Sequence, residues 1–388
     1  MTFWSLLIAA LTGHFALHLT IYNRLNATGL RRSTIKRIEK FFVFTCIAIP
    51  IYLFLRMSSL VVEGESLEPL AHVELGYAIA CVSTIAVLGI PWLAARPIVG
   101  IGTVAAKREV TVHHVQNEID VPLALTAKGR WYSRIPGNQI FDVAVERIEL
   151  PVVGLPKDLD GLRISHLSDL HFTGDMSREY IRYVATQSNL WLPDVCVITG
   201  DIIDSPACID WLGDVLAPVE CTFEKFFILG NHDTRVDDPD LIRKAMTAAG
   251  WTDAGGQCLQ RIIRQTPLEV IGNEWPWFDA PQLDRAQGRA SQGKAATFRM
   301  LLSHSPDRFS WARKHSVSLM LAGHTHGGQG RLPIIGPVLS PSWHGSRFAS
   351  GDFFRSPTTM HVTRGLGAVH LLRLRCRPEL SLLTLRCI

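Results

Sequence analysis

Five short polar clusters, each closing an apolar run, carry the residues of this 388-residue chain best suited to chemistry. They are Asp169-Leu-His171, Gly200-Asp201, Gly230-Asn231-His232-Asp233, Ser303-His304 and Gly323-His324-Thr-His326. Carboxylate, amide and imidazole donors of this kind suit Mn²⁺, Fe²⁺/Fe³⁺ or Zn²⁺. A bridged metal pair needs one shared carboxylate and about three further donors for each ion, with the ions ~3.5–4 Å apart. Asp169, His171, Asp201, Asn231, His304, His324 and His326 can meet that demand. Asp169 and His171 are two apart, so on an extended strand end both point to one side, and His324 and His326 repeat the spacing. Asn231 offers an uncharged oxygen that limits the negative charge of the cluster. A water between two such ions loses a proton near neutral pH and becomes a nucleophile. His232, beside a ligand position, is placed to protonate a poor leaving group. The chemistry expected is hydrolysis at a two-metal site.

Residues so far apart in sequence converge only if a fold brings strand ends together. Short continuous apolar runs at Leu162–Leu167, Val195–Ile198, Phe226–Leu229, Met300–Leu302 and Val317–Leu321 fit strands buried on both faces. A further strand is expected over Phe141–Leu150. Ser205-Pro206, Asp238-Pro239 and Ser305-Pro306 each place a capping residue before a proline that can open a helix, and Gly250 suits a helix end. In open α/β sheets, ligands bind beyond the carboxyl ends of the strands, where all five clusters fall.

Composition sets the outer bounds. A net charge of +4, dispersed along the chain, gives no footprint for nucleic-acid binding. The eight cysteines show no paired metal spacing and read as small buried apolar groups rather than an oxidised framework. A mean hydropathy of +0.16 is concentrated near the N-terminus. Three apolar stretches there, Phe3–Tyr22, Phe41–Leu60 and Leu75–Ala95, approach the ~20 residues that span a bilayer. His14 and His18 in the first are costly in lipid unless they face neighbouring helices. Arg24, Arg31, Arg32, Lys36, Arg37 and Lys40 lie between the first two stretches, and Glu63, Glu65, Glu68 and Glu74 between the second and third. Positive-inside reasoning then puts the basic loop, and everything after residue 96, on the cytoplasmic side of an inner membrane. The expected organisation is a transmembrane helical region over 1–96, a juxtamembrane connector over 97–139 and a catalytic domain over 140–388.

The order D-x-H, G-D, G-N-H-D, H, G-H-x-H resembles the calcineurin-like metallophosphoesterases, over about residues 140–388. The resemblance implies an α/β fold, a four-layer αββα sandwich, acting on a phosphoester. By that likeness Asp169, His171, Asp201 and His326 would hold one divalent ion, and Asp201, Asn231, His304 and His324 the other. His232 would protonate the leaving oxygen, paired with Asp233 where many relatives carry Glu. The stretch from Gly323 to Leu366 resembles a bacterial membrane-associated branch. Related groups include enzymes of lipid-linked phosphodiesters and pyrophosphates such as UDP-diacylglucosamine, which a membrane-tethered, cytoplasm-facing site would suit. Two other readings stand beside this one: a phosphodiesterase or monoesterase of soluble substrates, and a membrane adaptor that uses the fold as a binding surface.

Other residues have plainer readings. His166, within a buried run, reads as a satisfied core histidine, and His113-His114 as a solvated pair. His344 is the one C-terminal histidine singled out for testing, against His361 and His370. Trp275-Pro-Trp277 reads as a core anchor, with stacking on a substrate ring as the sharper alternative. The apolar segment Leu332–Leu339 is read either as a loop packed under the sheet or as a lipid contact. Gly327-Gly328 would let backbone pass close to the ions.

Overall fold

A computed structural model describes residues 3–62, 72–90, 92, 107–283 and 297–388. The chain divides into two compact units, Met1–Gly100 with Trp343–Arg347, and Ile101–Ser342 with Phe348–Ile388. The first unit is helical. Helices span Phe3–Leu25, Arg32–Val62 and His72–Thr84, the last continued by a wider turn over Ile85–Gly89. One helical stretch among the described residues, Arg32–Leu55, is long and apolar enough to cross a membrane. At 1.5 Å per residue it would reach ~36 Å. Gly76–Gly89 is apolar but shorter, and only residues 91 and 93–95 of the expected third span lie outside the described residues. His14 and His18 are buried between helices: the His14 ring nitrogens lie 2.5 Å from Tyr77 Oη and 3.3 Å from the Cys46 carbonyl, and His18 Nε2 3.0 Å from Thr45 Oγ1. Polar groups so paired are the form in which histidine is tolerated within an apolar bundle.

The second unit is built on two mixed sheets. Its strands are β1 (Lys107–His114), β2 (Asp142–Val152), β3 (Arg163–Leu167), β4 (Val195–Thr199), β5 (Glu224–Ile228), β6 (Thr252–Asp253), β7 (Cys258–Ile263), β8 (Thr266–Asn273), β9 (Phe298–Ser303), β10 (Leu319–Ala322), β11 (Gly351–Arg355), β12 (Thr358–Val362) and β13 (Glu379–Cys387). The seven-stranded sheet runs β1-β2-β13-β3-β4-β5-β6 and the six-stranded sheet β11-β12-β10-β9-β8-β7. The strands that end at the polar clusters are parallel within each sheet: β3, β4 and β5 in one, β9 and β10 in the other. Their ends therefore point the same way, which the site requires.

Alternation along the strands sorts side chains into three cores. Val195 and Val197 join Phe226, Ile228, Leu302 and Leu321 between the sheets, whereas Cys196, Ile198 and Phe227 face the helices Arg178–Leu190, Trp211–Leu216 and Asp240–Ala248. Met320, Ala322, Met360 and Val362 pack on the helix Phe309–Lys314 behind the second sheet. The layers are helix, sheet, sheet, helix. Helix ends follow the capping signals in part. After Asp240–Ala248, Gly250 takes φ +81°, with Gly250 N–H donating to Thr247 O and Trp251 N–H to Met246 O, which satisfies the last carbonyls. The Ser205-Pro206 and Ser305-Pro306 signals open single short turns, Pro206–Cys208 and Pro306–Arg308, ahead of the helices.

Residues 107–139 carry local structure of their own. β1 pairs with β2 from Lys107↔Glu149 to His114↔Asp142, and Leu123 is fully buried in the helix-facing core. The exposed face of an edge strand hides its apolar periodicity, so composition alone gave no strand signal.

Candidate metal centre

Each polar cluster sits where a strand ends and the chain turns sharply. Asp169 and His171 follow β3 at φ +53° and +50°, Asp201 follows β4 at +52°, and His324 and His326 follow β10 at +69° and +49°. Five residues that are not glycine in the left-handed region, all among the expected ligands, are held there by their surroundings. Backbone bonds lock the first two turns together: Asp169 N–H donates to Gly200 O and His171 N–H to Asp201 O, both at 3.0 Å. The turns are also crowded. A Cβ at Gly230 would lie 2.4 Å from Asp201 Oδ1, and one at Gly323 2.0 Å from Ser168 Oγ. Glycine suits both because the Asp201 carboxylate stands in that space at Gly230, and the Ser168 hydroxyl and Asp169 carboxylate at Gly323.

Three donor groups occur among the described residues; one is His171, Asp204 and His232, and the other two share Asp201. Asp169, His171, Asp201 and His326 offer atoms all within 4.8 Å of one another, and so do Asp201, His304 and His324. Within the first group, His171 Nε2 and His326 Nε2 are 3.1 Å apart, and His326 Nε2 is 3.4 Å from Asp169 Oδ1. Within the second, His304 Nε2 lies 3.2 Å from Asp201 Oδ1 and 3.1 Å from both Asn231 Oδ1 and His324 Nδ1. Facing imidazole nitrogens at such distances repel unless a proton or a cation lies between them. Asp201 Oδ2 and His324 Nε2 are buried without a hydrogen-bond partner, and such atoms are costly unless another ligand satisfies them. Burial would raise the Asp201 carboxyl, but His304 and His232 hold it well below the carboxylate range. Burial would lower the His304 imidazole, but Asp201 raises it to about 9. The donor set fits a pair of divalent ions.

His232 lies at the edge of this cluster, its Nε2 3.9 Å from Asp201 Oδ2. Its expected partner, Asp233, does not touch it. Asp233 turns away into the fold and accepts backbone N–H groups of Ile202, Ile203 and Gly230 at 2.7–3.0 Å. That carboxylate braces the β4 and β5 turns; it does not touch the imidazole. Asp204 does so instead. Its Oδ1 lies 2.5 Å from His232 Nδ1 and its Oδ2 2.6 Å from His171 Nδ1, with Arg235 on Oδ1 as well. Burial would raise Asp204, but His171 and His232 hold it well below the usual carboxylate range. Asp204 stands three residues after Asp201 in the same turn, a spacing that the sequence analysis did not weigh.

Two more neighbours frame the donors. Arg373 is fully buried and donates to Arg364 O at 2.8 Å and His326 O at 3.2 Å, with its Nη2 3.1 Å from His326 Nδ1. It ties the second histidine loop to the chain beside Asp169. Trp277 walls the other side, its ring 4.9 Å from that of His324 and 5.4 Å from that of His304. Trp275 is exposed, with the Arg308 guanidinium 4.2 Å over its ring. His166 is buried and bonds Thr199 Oγ1 at 2.8 Å. His361 pairs with Asp352, His370 stacks on Tyr132, and His344 is exposed. None of these four belongs to a donor group among the described residues.

Residues 162–328 match the family described as calcineurin-like phosphoesterase. The uncharacterized metallophosphoesterase YkuE of Bacillus subtilis is 32% identical over 274 residues, covering 68% of this chain and 92% of that protein. Phosphodiesterase YaeI of Escherichia coli is 30% identical over 227 residues, covering 58% and 82%. A transmembrane protein with metallophosphoesterase domain from Danio rerio is 27% identical over 257 residues, covering 62% and 56%.

Proposed function

Because this chain belongs to the calcineurin-like metallophosphoesterases, and is thus a metal-dependent phosphoric ester hydrolase, we propose that it cleaves a phosphodiester or pyrophosphate at the cytoplasmic face of a membrane. The observation that carries the catalytic part is Asp201, the one residue common to the two donor groups of expected metal ligands, with Oδ2 left unpartnered. In this reading Asp169, His171, Asp201 and His326 hold one divalent ion, and Asp201, Asn231, His304 and His324 the other. Bound there, the pair would acidify a water and neutralise charge on the phosphoryl oxygens. His232 donates a proton from Nε2 to the leaving oxygen while Asp204 fixes its Nδ1. Asp204 also orients His171, so one carboxylate sets the acid and a ligand together.

The membrane part rests on the apolar helix Arg32–Leu55 and on the basic residues before it and in its first turns. The relative named as a transmembrane protein with metallophosphoesterase domain supports the same association. An amphiphilic, lipid-linked diester or pyrophosphate suits an enzyme held at that surface. The test is direct. Detergent-purified full-length protein is assayed for bound metal and for Mn²⁺-dependent cleavage of bis(p-nitrophenyl) phosphate. Wild type should hold about two ions and turn over the diester, and Asp201→Asn should lose both properties. Metal-free, inactive wild type would end the catalytic reading. Release of phosphate or nucleotide from lipid extracts, but not from soluble analogues, would assign the lipid-linked substrate.

A further inference from the structure

The second histidine loop runs on, through Gln329 and Arg331, into a tight apolar hairpin. Leu332 and Gly336 exchange both backbone bonds, at 3.0 and 2.9 Å. Between them the Ile335 N–H donates to Pro333 O at 2.6 Å across Ile334, which has φ +64°. That is a γ-turn of the rare, strained kind. A β-branched residue is among the least comfortable occupants of positive φ. Glycine or asparagine would remove the difficulty, yet the chain places an isoleucine there, with relative exposure 107%. Leu332, Ile335 and Leu339 are also exposed, at 45%, 46% and 44%. Lone exposed apolar side chains are ordinary, but four within eight residues form a patch, and such patches mark interaction surfaces. The base is fixed: Arg331 donates from Nε to Gly327 O at 2.8 Å, from Nη2 to Ser350 Oγ at 2.7 Å, and from its backbone to Leu374 O at 3.0 Å. The apolar tip is thus held outward by bonds to the loop that carries His324 and His326.

We propose that this hairpin, Leu332–Gly336 with Leu339 beside it, inserts its side chains into the surface of an anionic lipid bilayer. The inference rests on the membrane attachment set out under Proposed function. Two features favour lipid over a protein partner. From the hairpin the chain passes into Trp343–Arg347, which groups with the helical unit that holds the membrane-length helix. The charge near that helix is also one-sided. Residues 24–40 carry Arg24, Arg31, Arg32, Lys36, Arg37 and Lys40 against Glu39 alone, and His344 and Arg347 follow the hairpin. Exposed apolar side chains on a chain that also carries such basic runs match a bilayer, with acyl chains beneath acidic headgroups and insertion of ~5–10 Å. The hairpin would hold the site at the depth where lipid-linked phosphates lie.

The experiment uses the full-length protein, in a Cys387→Ser background, with bimane on Ile334→Cys or on the control Ile262→Cys, an exposed position on β7. Both are reconstituted with phosphatidylcholine–phosphatidylglycerol vesicles and floated on a density gradient. Flotation reports on membrane attachment, and quenching reports on the hairpin. The expected result is flotation of both proteins, with brominated acyl chains cutting bimane emission about twofold at 334 and not at 262. Flotation with the 334 label quenched by aqueous iodide, and untouched by brominated lipid, would overturn the hairpin inference and leave the attachment intact. A 334 label shielded from both quenchers would assign the patch to a second copy of the chain and overturn it equally. Failure of either protein to float would remove the membrane attachment itself.

Discussion

The Nδ1 atom of His232 lies 2.5 Å from Oδ1 of Asp204, so the imidazole is held with Nε2 toward the donor cluster, 3.9 Å from Asp201 Oδ2 and 3.4 Å from Arg235 Nη2. Asp204 orients His171 through its other oxygen. In Asp204→Asn, the side chain keeps its shape but can accept from only one of the two rings. Diester turnover should fall ~10²–10³-fold, and affinity for metal ~10–100-fold through His171. Metal titration and steady-state kinetics separate the two losses. An Asp204→Asn enzyme with unchanged kcat would remove the carboxylate from the mechanism.

Replacing His232 tests proton donation against simple positioning. His232→Ala should slow cleavage of an alkyl phosphodiester ~10²–10⁴-fold, because an alkoxide leaves poorly without a proton. A p-nitrophenyl leaving group needs little protonation, so its loss should be much smaller. Equal losses for the two diesters would mean that the ring binds phosphate without acting as an acid. Asp233→Asn, by contrast, should first reduce stability, since its carboxylate braces three backbone N–H groups away from the imidazole.

The legible part of this protein was its periodic and punctuated part. Buried parallel strands read as continuous apolar runs, and five ligand clusters followed them because each strand must end in a turn. Gly250 was visible as a helix end for the same local reason. What stayed hidden depends on contacts distant in sequence. β13, at residues 379–387, inserts between β2 and β3, and no local signal says which strands an added one will separate. Arg373 lies 47 residues from His326 yet bonds its carbonyl. The resemblance paired His232 with its sequence neighbour Asp233, whereas the ring faces across to Asp204 in the β4 turn.

Arg373 has no carboxylate in its hydrogen bonds; it holds carbonyl oxygens at Arg364 and His326. Arg373→Met roughly conserves length and leaves those buried acceptors without a donor. A loss of roughly 2–4 kcal/mol in unfolding free energy is expected, together with weaker metal retention as the His326 loop relaxes. Urea denaturation with metal analysis of the surviving folded protein checks both. Full stability would show that the guanidinium merely fills space.

Acid sensitivity should come from a different cluster. Arg108 on β1 bridges Asp352 and Glu146, while Arg364 pairs with Glu146 and Glu379, and all three carboxylates are buried. Burial would raise Asp352 and Glu379, but His361 and Arg108 hold the first below its ordinary value, and Arg364, His361 and Arg108 the second. Depressed carboxyls add stability above their unfolded values near pH ~4, and that stability disappears as pH falls through the folded values. Arg108→Met should therefore cost about 1–3 kcal/mol near neutrality. The gap from wild type should narrow as pH drops below ~4. Denaturation midpoints measured across pH decide it: a gap that widens in acid would contradict the assignment.

Ile334 offers the last test, because its backbone strain and its exposure make opposite demands. Glycine at φ +64° removes the steric conflict that a β-branched residue meets there, a relief of ~1–2 kcal/mol. The unfolded chain gains freedom at the same time, which offsets up to ~1 kcal/mol of that gain. Ile334→Gly should therefore raise unfolding free energy by up to about 1 kcal/mol, although it deletes a large apolar side chain. A buried isoleucine would show the reverse, a loss of several kcal/mol from cavity formation. The substitution leaves every donor of the metal cluster untouched, so bis(p-nitrophenyl) phosphate turnover in detergent should not change. Stabilisation would show that the native isoleucine is kept at a local cost to folding. Destabilisation would mean that the side chain packs against the protein, and that the γ-turn is not strained.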